Sequence, residues 1–483
     1  MSDTARRYRF HPLERRGLLL GLGPAQLAVL GAGAAGAVVA LRAGAGPMPS
    51  LLALVAAGLL ARLPVAGASP VEWAPLAVAW AGRLGRPRTA PAGRSAAPAG
   101  VRLRAAPDEP GEPPLGVVED RRAGAWAAVV PVGAGAFTLL DVEDKQRRLA
   151  AWGAVLASTA RPTSPIFRLQ WVERTLPVGV GELRGYFEEA AGGRDPGGSD
   201  VDPAGRASGG KPATADRRRG YERLLAAAAG GLAHEVLVVL SVHPRTAGRQ
   251  LRSFGSGDRA VCALLRRELR LLIGQLRRAE IEPGAPLDLA RLVGVVRSTC
   301  DPDAGGAARR GGDASAWPVG WHDGWSCARV DGLWQATYWI AEWPRSDVGP
   351  DFLVPLLLTS VPRVVSVTMA PVARRAAVRE AETARTAELA DEELRRRAGF
   401  LSTARHRRRA EGVASREAEL ADGHGELRFA GYVGVSGRTP AELDNATATV
   451  EAAAQQCGLE LRRLYGRQAE ASTWTLPIGR GLA

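Results

Sequence analysis

Lysine is nearly missing from this 483-residue chain. Lys145 and Lys211 are the only two among 63 basic residues, so the formal charge of +13 is carried by arginine. The arginines are spread along the sequence and accompany abundant Ala, Gly and Pro, a pattern that reads as the codon bias of a GC-rich genome. Phosphate recognition needs a clustered basic face, so nucleic acid is not expected as a partner. Cysteine is scarce as well. Cys262, Cys300, Cys327 and Cys457 lie far apart without a C-x-x-C spacing, which excludes a zinc finger and a disulfide scaffold and suits a reducing cytosol.

Catalytic motifs are equally sparse. GRASGGKP (205–212) satisfies G-x-x-x-x-G-K, but Pro212 stands where Ser or Thr would ligate Mg²⁺, and a proline there removes a backbone donor from the phosphate cradle. His234 and His243 bracket one predicted strand and point to opposite faces, a poor metal arrangement. His322 and Asp323 sit in the Trp-rich turn WPVGWHDGWSC beside Ser326 and Cys327, yet acyl-transfer sites assemble from separate elements. No catalytic, cofactor-binding or metal-ligating residue and no cofactor is assigned, and the chain is not expected to be an enzyme.

What the sequence does contain is a long apolar stretch. Residues 17–41 carry no charge, and about 25 residues at a rise of roughly 1.5 Å exceed a hydrocarbon thickness of about 30 Å. A second apolar run, 48–63, is shorter and ends with Arg62, which can snorkel to the interface. Arginines flank the pair: Arg15 and Arg16 before it, Arg83 and Arg86 after it, and only Arg42 between. The positive-inside rule then puts both termini in the cytosol. SPVEWAPLAVAW (69–80) reads as a short interfacial helix with Trp73 and Trp80 at headgroup level. The expected fold class is a membrane-anchored α+β protein: a two-helix transmembrane hairpin followed by cytosolic ferredoxin-like α/β modules with a long inserted helix.

The expected organisation is a basic N-terminus (1–16), hairpin plus interfacial helix (17–84), linker (85–114), first α/β section (115–300) with a disordered loop at 191–218, linker (301–316) and second section (317–483). In the first section, GAWAAVVPVG and AFTLLD suggest a hairpin turning at 133–135, then a helix at 142–159 and a strand in SPIFRLQWVER. A helix near 217–232, the strand HEVLVVLSVHP and a helix from about 257 to 279 follow. In the second, strands at 333–343 and 363–372 frame a short helix at 352–358. A long charged helix (374–420), a strand at 426–437, a helix opened by Thr439 and Pro440, and the strand LELRRLYG complete the order. This β-α-β, β-α-β succession fits a split unit.

These parts resemble known secretion components. YRFHPLERRGLLLGLGPAQ, two short spans and PVEWAP are similar to the PrgI-like two-span membrane proteins of type IV secretion. The C-terminal two-thirds resembles the N-terminal, non-ATPase domain of TraC/TrbE/CagE-class conjugation ATPases, through Gly423, His424, Leu443, Gly458, Leu476 and Pro477. That class continues into a motor domain after the Leu-Pro pair, whereas this chain stops at Ala483. The layout is that of an actinobacterial family of integral membrane proteins. The resemblance implies a structural component in the bacterial inner membrane, with a separate secretion ATPase, other channel subunits, membrane lipid and further copies of itself as partners. A type VII component resembling EccE is the alternative. Trp334, Trp339 and Trp343 form a candidate partner surface, with Trp339 and Trp343 expected on one strand face.

Overall fold

The computed structural model describes residues 24–44, 46–63, 69–82, 88–89, 98, 100–133, 137–161, 164–177, 231–302, 317–318, 320–397, 404–422 and 425–482. The expected basic N-terminus, the 191–218 loop and most of 301–316 lie outside these residues. Three helices come first: α1 (Pro24–Arg42), α2 (Pro47–Arg62) and α3 (Pro70–Ala81). α1 is long and apolar enough to cross a membrane over Ala25–Arg42, and α2 is a shorter apolar helix.

The remainder is mixed α+β, built on one sheet of twelve described strands in which every pairing is antiparallel. In chain order these elements are β1 (Arg88–Thr89), β2 (Val101–Ala105), β3 (Gly116–Asp120), β4 (Ala125–Val132), α4 (Val142–Thr159), β5 (Ile166–Pro177), β6 (Leu232–Val242), α5 (Pro244–Arg252), α6 (Gly257–Arg278) and α7 (Leu289–Cys300). Next come β7 (Gly320–Asp323), β8 (Ala328–Val330), β9 (Leu333–Glu342), α8 (Val354–Leu357), β10 (Arg363–Pro371), α9 (Arg374–Arg397) and α10 (Ala404–Ala421). β11 (Leu427–Gly437), α11 (Pro440–Gln456), β12 (Glu460–Arg463) and α12 (Gln468–Ala471) close the chain. The strand order is β1-β7-β8-β9-β11-β10-β5-β6-β4-β3-β2, with β12 also on β9.

That order contains the same unit twice. In the second unit β9, β10, β11 and β12 lie in the order β12-β9-β11-β10, with helices in the first and last connections. In the first unit β4, β5 and β6 lie as β4-β6-β5, and the fourth place is filled by the segment after α6. There Gly133 N donates to Glu282 O at 2.8 Å, Gly284 N to Pro131 O at 2.8 Å and Leu287 N to Val129 O at 2.9 Å. Each unit is preceded by a hairpin, β2–β3 or β7–β8, lying along the first half of β4 or β9. A helix follows each unit and packs on that hairpin, α7 in the first and α12 in the second. Trp126 and Trp334 hold matching registers opposite Glu119 and Arg329, each with an arginine stacked on its ring at 5.4 and 5.7 Å.

The units join edge to edge through β5 and β10, from Arg363↔Thr175 to Met369↔Leu169. Residues alternate across these strands. Leu169, Trp171, Val365 and Met369 meet α4, α6 and α11 on one face, while Val172 and Val364 meet α7 and the C-terminal segment on the other. The junction also buries charge. Arg363 pairs with Glu173 across the units, and its guanidinium donates to Leu356 O, Leu357 O and Thr359 Oγ1. Glu173 also meets His234 Nδ1 at 2.8 Å. Arg174, fully buried, pairs with Glu235 and reaches Val295 O, Ser298 Oγ and Thr299 Oγ1, each at 2.8 Å. The guanidinium donors are thus spread over carbonyls and hydroxyls, the condition under which buried ions are tolerated.

Several elements differ from expectation. AFTLLD is not a strand: Phe137–Leu139 is a 3₁₀ turn leading to Asp141, whose side chain caps α4 by accepting from Asp144 N at 2.8 Å. The segment 85–114 contains the two-residue β1 and the strand β2, the latter because Val101, Leu103 and Ala105 alternate with arginines and place Val101 and Leu103 in the core. The single long helix is an antiparallel hairpin. α9 and α10 pack through Ala377, Ala381 and Leu420, with Arg385–Glu417 at 3.7 Å and Arg416–Glu380 at 3.6 Å bridging them. The residues between them, 398–403, lie outside the described residues.

Glu173→Ala leaves Arg363 buried without its carboxylate and is expected to destabilise the chain by about 3–5 kcal/mol. Urea unfolding of the detergent-solubilised chain measures this; an unchanged midpoint would show that the junction does not depend on the pair.

Candidate functional site

The N-terminal hairpin is inside-out relative to a water-soluble helix pair. Small residues line the α1–α2 contact: Ala37, Ser50, Ala57 and Ala61 are buried, and a Cβ on Gly33 would lie 2.3 Å from that of Ala57. Ser50 Oγ donates to Ala37 O at 3.0 Å, closing the pair with a polar link. The large side chains face outward, among them Val39, Leu51, Leu52, Val55 and Leu59, all at least half exposed. Small residues between helices and branched ones outside are the arrangement that lipid favours. Arg62 closes α2 and is exposed.

α3 joins this hairpin to the second unit. Pro70 opens it, Ser69 N donates to Glu72 Oε2 at 2.8 Å, and Gln26 Nε2 of α1 donates to Ser69 Oγ at 3.1 Å. Trp73 and Trp80, seven residues apart, share one helix face. The structure sets that face against the second unit. Trp73 lies 5.8 Å from the Trp325 ring and 5.4 Å from Tyr465, and Trp80 lies 5.3 Å from Trp325 with its Nε1 3.4 Å from Asp323 O. Trp325 occupies the β7–β8 turn, held by Gly466 N donating to its carbonyl at 2.7 Å. Gly466 has φ +70°, and a Cβ there would lie 2.8 Å from the Trp325 ring. Trp325 was visible in the sequence as part of the aromatic-rich turn, whereas Tyr465, in LELRRLYG, is the contact residue that sequence reasoning missed.

A second constellation fastens the C-terminal segment over the sheet centre. Gln170 Nε2 donates to Ser366 Oγ at 2.9 Å and to Leu476 O at 2.9 Å, and its Oε1 accepts from Gly479 N at 2.8 Å. Thr368 Oγ1 donates to Arg480 O at 2.7 Å, Tyr432 OH to Gly481 O, and Arg168 to Leu482 O. Arg480 Nε reaches Asp120 Oδ2 at 2.6 Å. This segment therefore touches β3, β5, β10 and β11, tying both units together. Leu476 and Pro477 are buried within it. Gly479, at φ +73°, admits no side chain, because a Cβ would lie 2.4 Å from Ser241 Oγ.

The other expected residues have local roles. Leu443 is buried where α11 meets β9 and β11. Gly458 ends α11 at φ +71°, with its N donating to Gln455 O and Leu459 N to Ala454 O, a Schellman closure. Trp339 and Trp343 do not share a face. Trp343 lies past the end of β9 and packs with Phe429 at 5.4 Å in the α11-side core, whereas Trp339 is cross-strand from Tyr432, whose hydroxyl reaches the C-terminal segment on the opposite face. Trp334 packs on the α11 side. Arg15, Arg16, Arg83, Arg86, Gly423, His424 and GRASGGKP lie outside the described residues.

For chemistry the geometry offers little. His322 is exposed on β7, while Asp323 Oδ1 accepts from Ala469 N at 2.9 Å. Burial pushes the Cys262 thiol up to about 11 and Cys300 up to about 12, so neither supplies a thiolate at neutral pH. Among the described residues no three His, Cys, Asp or Glu side chains group to hold a metal. A cleft of about 360 Å³ opens at the unit junction, walled by Pro177, Pro302 and Pro362 beside Arg438 and Glu442. Compared with known proteins, the chain matches no family model and no curated sequence.

Burial opposes ionisation of Asp120, but hydrogen bonds from Arg480 and from the backbone of Ala123 and Arg122 outweigh it and hold the carboxyl below its usual range. A depressed folded value means that this stabilisation is present above the unfolded carboxylate pKa of about 4 and is lost as pH falls through the folded value. Exchange protection of the Gly479 amide is expected to weaken below about pH 4, and Arg480→Ala is expected to weaken it at neutral pH as well. Protection indifferent to both would remove the ion pair from the fastening.

Proposed function

We propose that the chain is a membrane-anchored structural and coupling component of a type IV, conjugation-like secretion apparatus, with no catalytic activity of its own. α1 and α2 form a two-span hairpin in the bacterial cytoplasmic membrane, with both termini cytosolic. The two repeated units are ferredoxin-like split modules, and α9–α10 is an arm inserted into the second. A separate ATPase docks on this platform, which further copies of the chain extend into an assembly with other channel subunits.

The observation that carries this reading is the inside-out packing of α1 on α2 joined, through α3, to Trp325 and Tyr465. An apolar hairpin with small residues inside is suited to lipid. An aromatic joint between the hairpin's next helix and the sheet passes force between membrane and platform. The arginine placement of the sequence supports the orientation, and the resemblance to conjugation proteins supports the machine.

Deleting residues 1–84 is expected to move the protein from carbonate-resistant membranes to the soluble fraction with its α/β part folded. A deletion product that stays in membranes would sink the anchor. Co-purification from the host is expected to bring down a secretion-type ATPase, and ATP turnover by the purified chain alone would overturn the non-catalytic reading. Trp325→Ala is expected to raise hydrogen exchange over 70–81 without releasing the chain from membranes.

A further inference from the structure

The arm formed by α9 and α10 has two electrically different ends. Near the sheet its charges are matched: Glu380 meets Arg416 at 3.6 Å and Arg428 at 2.5 Å, Arg416 meets Glu426 at 2.5 Å, and Arg385 meets Glu417 at 3.7 Å. Toward the turn the balance breaks. From 395 to 409 the sequence has seven arginines and no acidic residue. Arg395, Arg396 and Arg397 lean back on Asp391 and Glu393, while Arg407 and Arg408 are exposed with no ion pair among the described residues. Leu394, 64% exposed, stands at the same end.

We infer that the far end of this arm binds the anionic surface of the membrane in which the hairpin sits, as a second, electrostatic attachment. The inference rests on the anchoring reading. The described guanidinium groups are exposed or paired only with carboxylates of their own helix, so they suit a diffuse polyanion better than a single small ligand. Distance brings the lipid surface within range. The connection from Arg62 to Pro70 has seven residues between its ends and spans at most about 29 Å, which keeps the second unit close to the bilayer. The arm grows from that same unit, and the 24 residues of α9 extend about 36 Å. Tethering then makes the contact intramolecular and raises its effective concentration. Arginine with an exposed leucine is also the composition of segments that settle at the headgroup boundary.

The test uses the full chain in lipid nanodiscs, with Leu394→Cys in a Cys327→Ser background carrying a fluorophore and brominated lipid as quencher. Quenching is expected to rise several-fold when about a third of the lipid is anionic phosphatidylglycerol, and to fall back in high salt. It is expected to be lost when Arg395, Arg396, Arg397, Arg407 and Arg408 are changed to Gln and retained when they are changed to Lys, which keeps the charge. Equal quenching in neutral and anionic discs, with the hairpin still resistant to extraction, overturns the arm contact and leaves the anchor standing. A chain that fails to enter discs at all overturns both. Displacement of the arm from anionic discs by single-stranded DNA at lower charge concentration than added lipid vesicles overturns the lipid assignment in favour of nucleic acid.

Discussion

Strands β5 and β10 pair with one another along seven residues, and among the described residues the two halves of the sheet have no other strand-to-strand pairing between them. Each is the outermost strand of its own four-strand set, so without this pairing both units would expose an open edge, which invites pairing with other chains. The pairing is made specific by charge. Glu173 on one strand and Arg363 on the other are almost wholly buried, and a one-residue slip would carry Glu173 to the opposite face, away from Arg363 and His234. The register is therefore defended by the cost of an unpaired buried ion as well as by apolar alternation.

The same alternation decides what covers the other face. Gln170 and Ser366 point away from the α4–α6–α11 side, into a region where unpaired amides and hydroxyls would be costly. The C-terminal segment meets that demand with backbone groups, offering Trp474 O, Leu476 O and Gly479 N to the two side chains. A strap of backbone satisfies polar strand residues without needing a helix of its own, and Gly479 lets it approach β6 closely. The segment thus follows from what β5 and β10 leave unsatisfied.

Much of the element order was legible because its signals are local. Thr439 and Pro440 open α11 as helix-start chemistry requires, with Thr439 Oγ1 accepting from Glu442 N at 3.1 Å. The apolar runs at β6, β9 and β10 read correctly as strands. The duplication was not legible, since little beyond Trp126 with Trp334 marks equivalent positions, and register is a property of pairing. The α9–α10 turn was hidden because charge and helix propensity continue on both sides of it. The partners of Trp73 and Trp80 were hidden for another reason: an amphipathic aromatic face suits a headgroup layer and a protein surface equally, and only the fold places Trp325 and Tyr465 beside it.

The repeat also explains where the chain departs from symmetry. In each unit the longest interruption falls between the second and third strands: residues 178–231 separate β5 from β6, and α9–α10 separate β10 from β11. This connection joins neighbouring antiparallel strands and need not cross a face of the sheet, so length can be added there without disturbing the core. Because β5 and β10 run antiparallel, their C-terminal ends, Pro177 and Pro371, leave the sheet on opposite sides. The two longest insertions therefore start from opposite ends of the β5–β10 pair, while α3 meets the sheet at the β7–β8 turn.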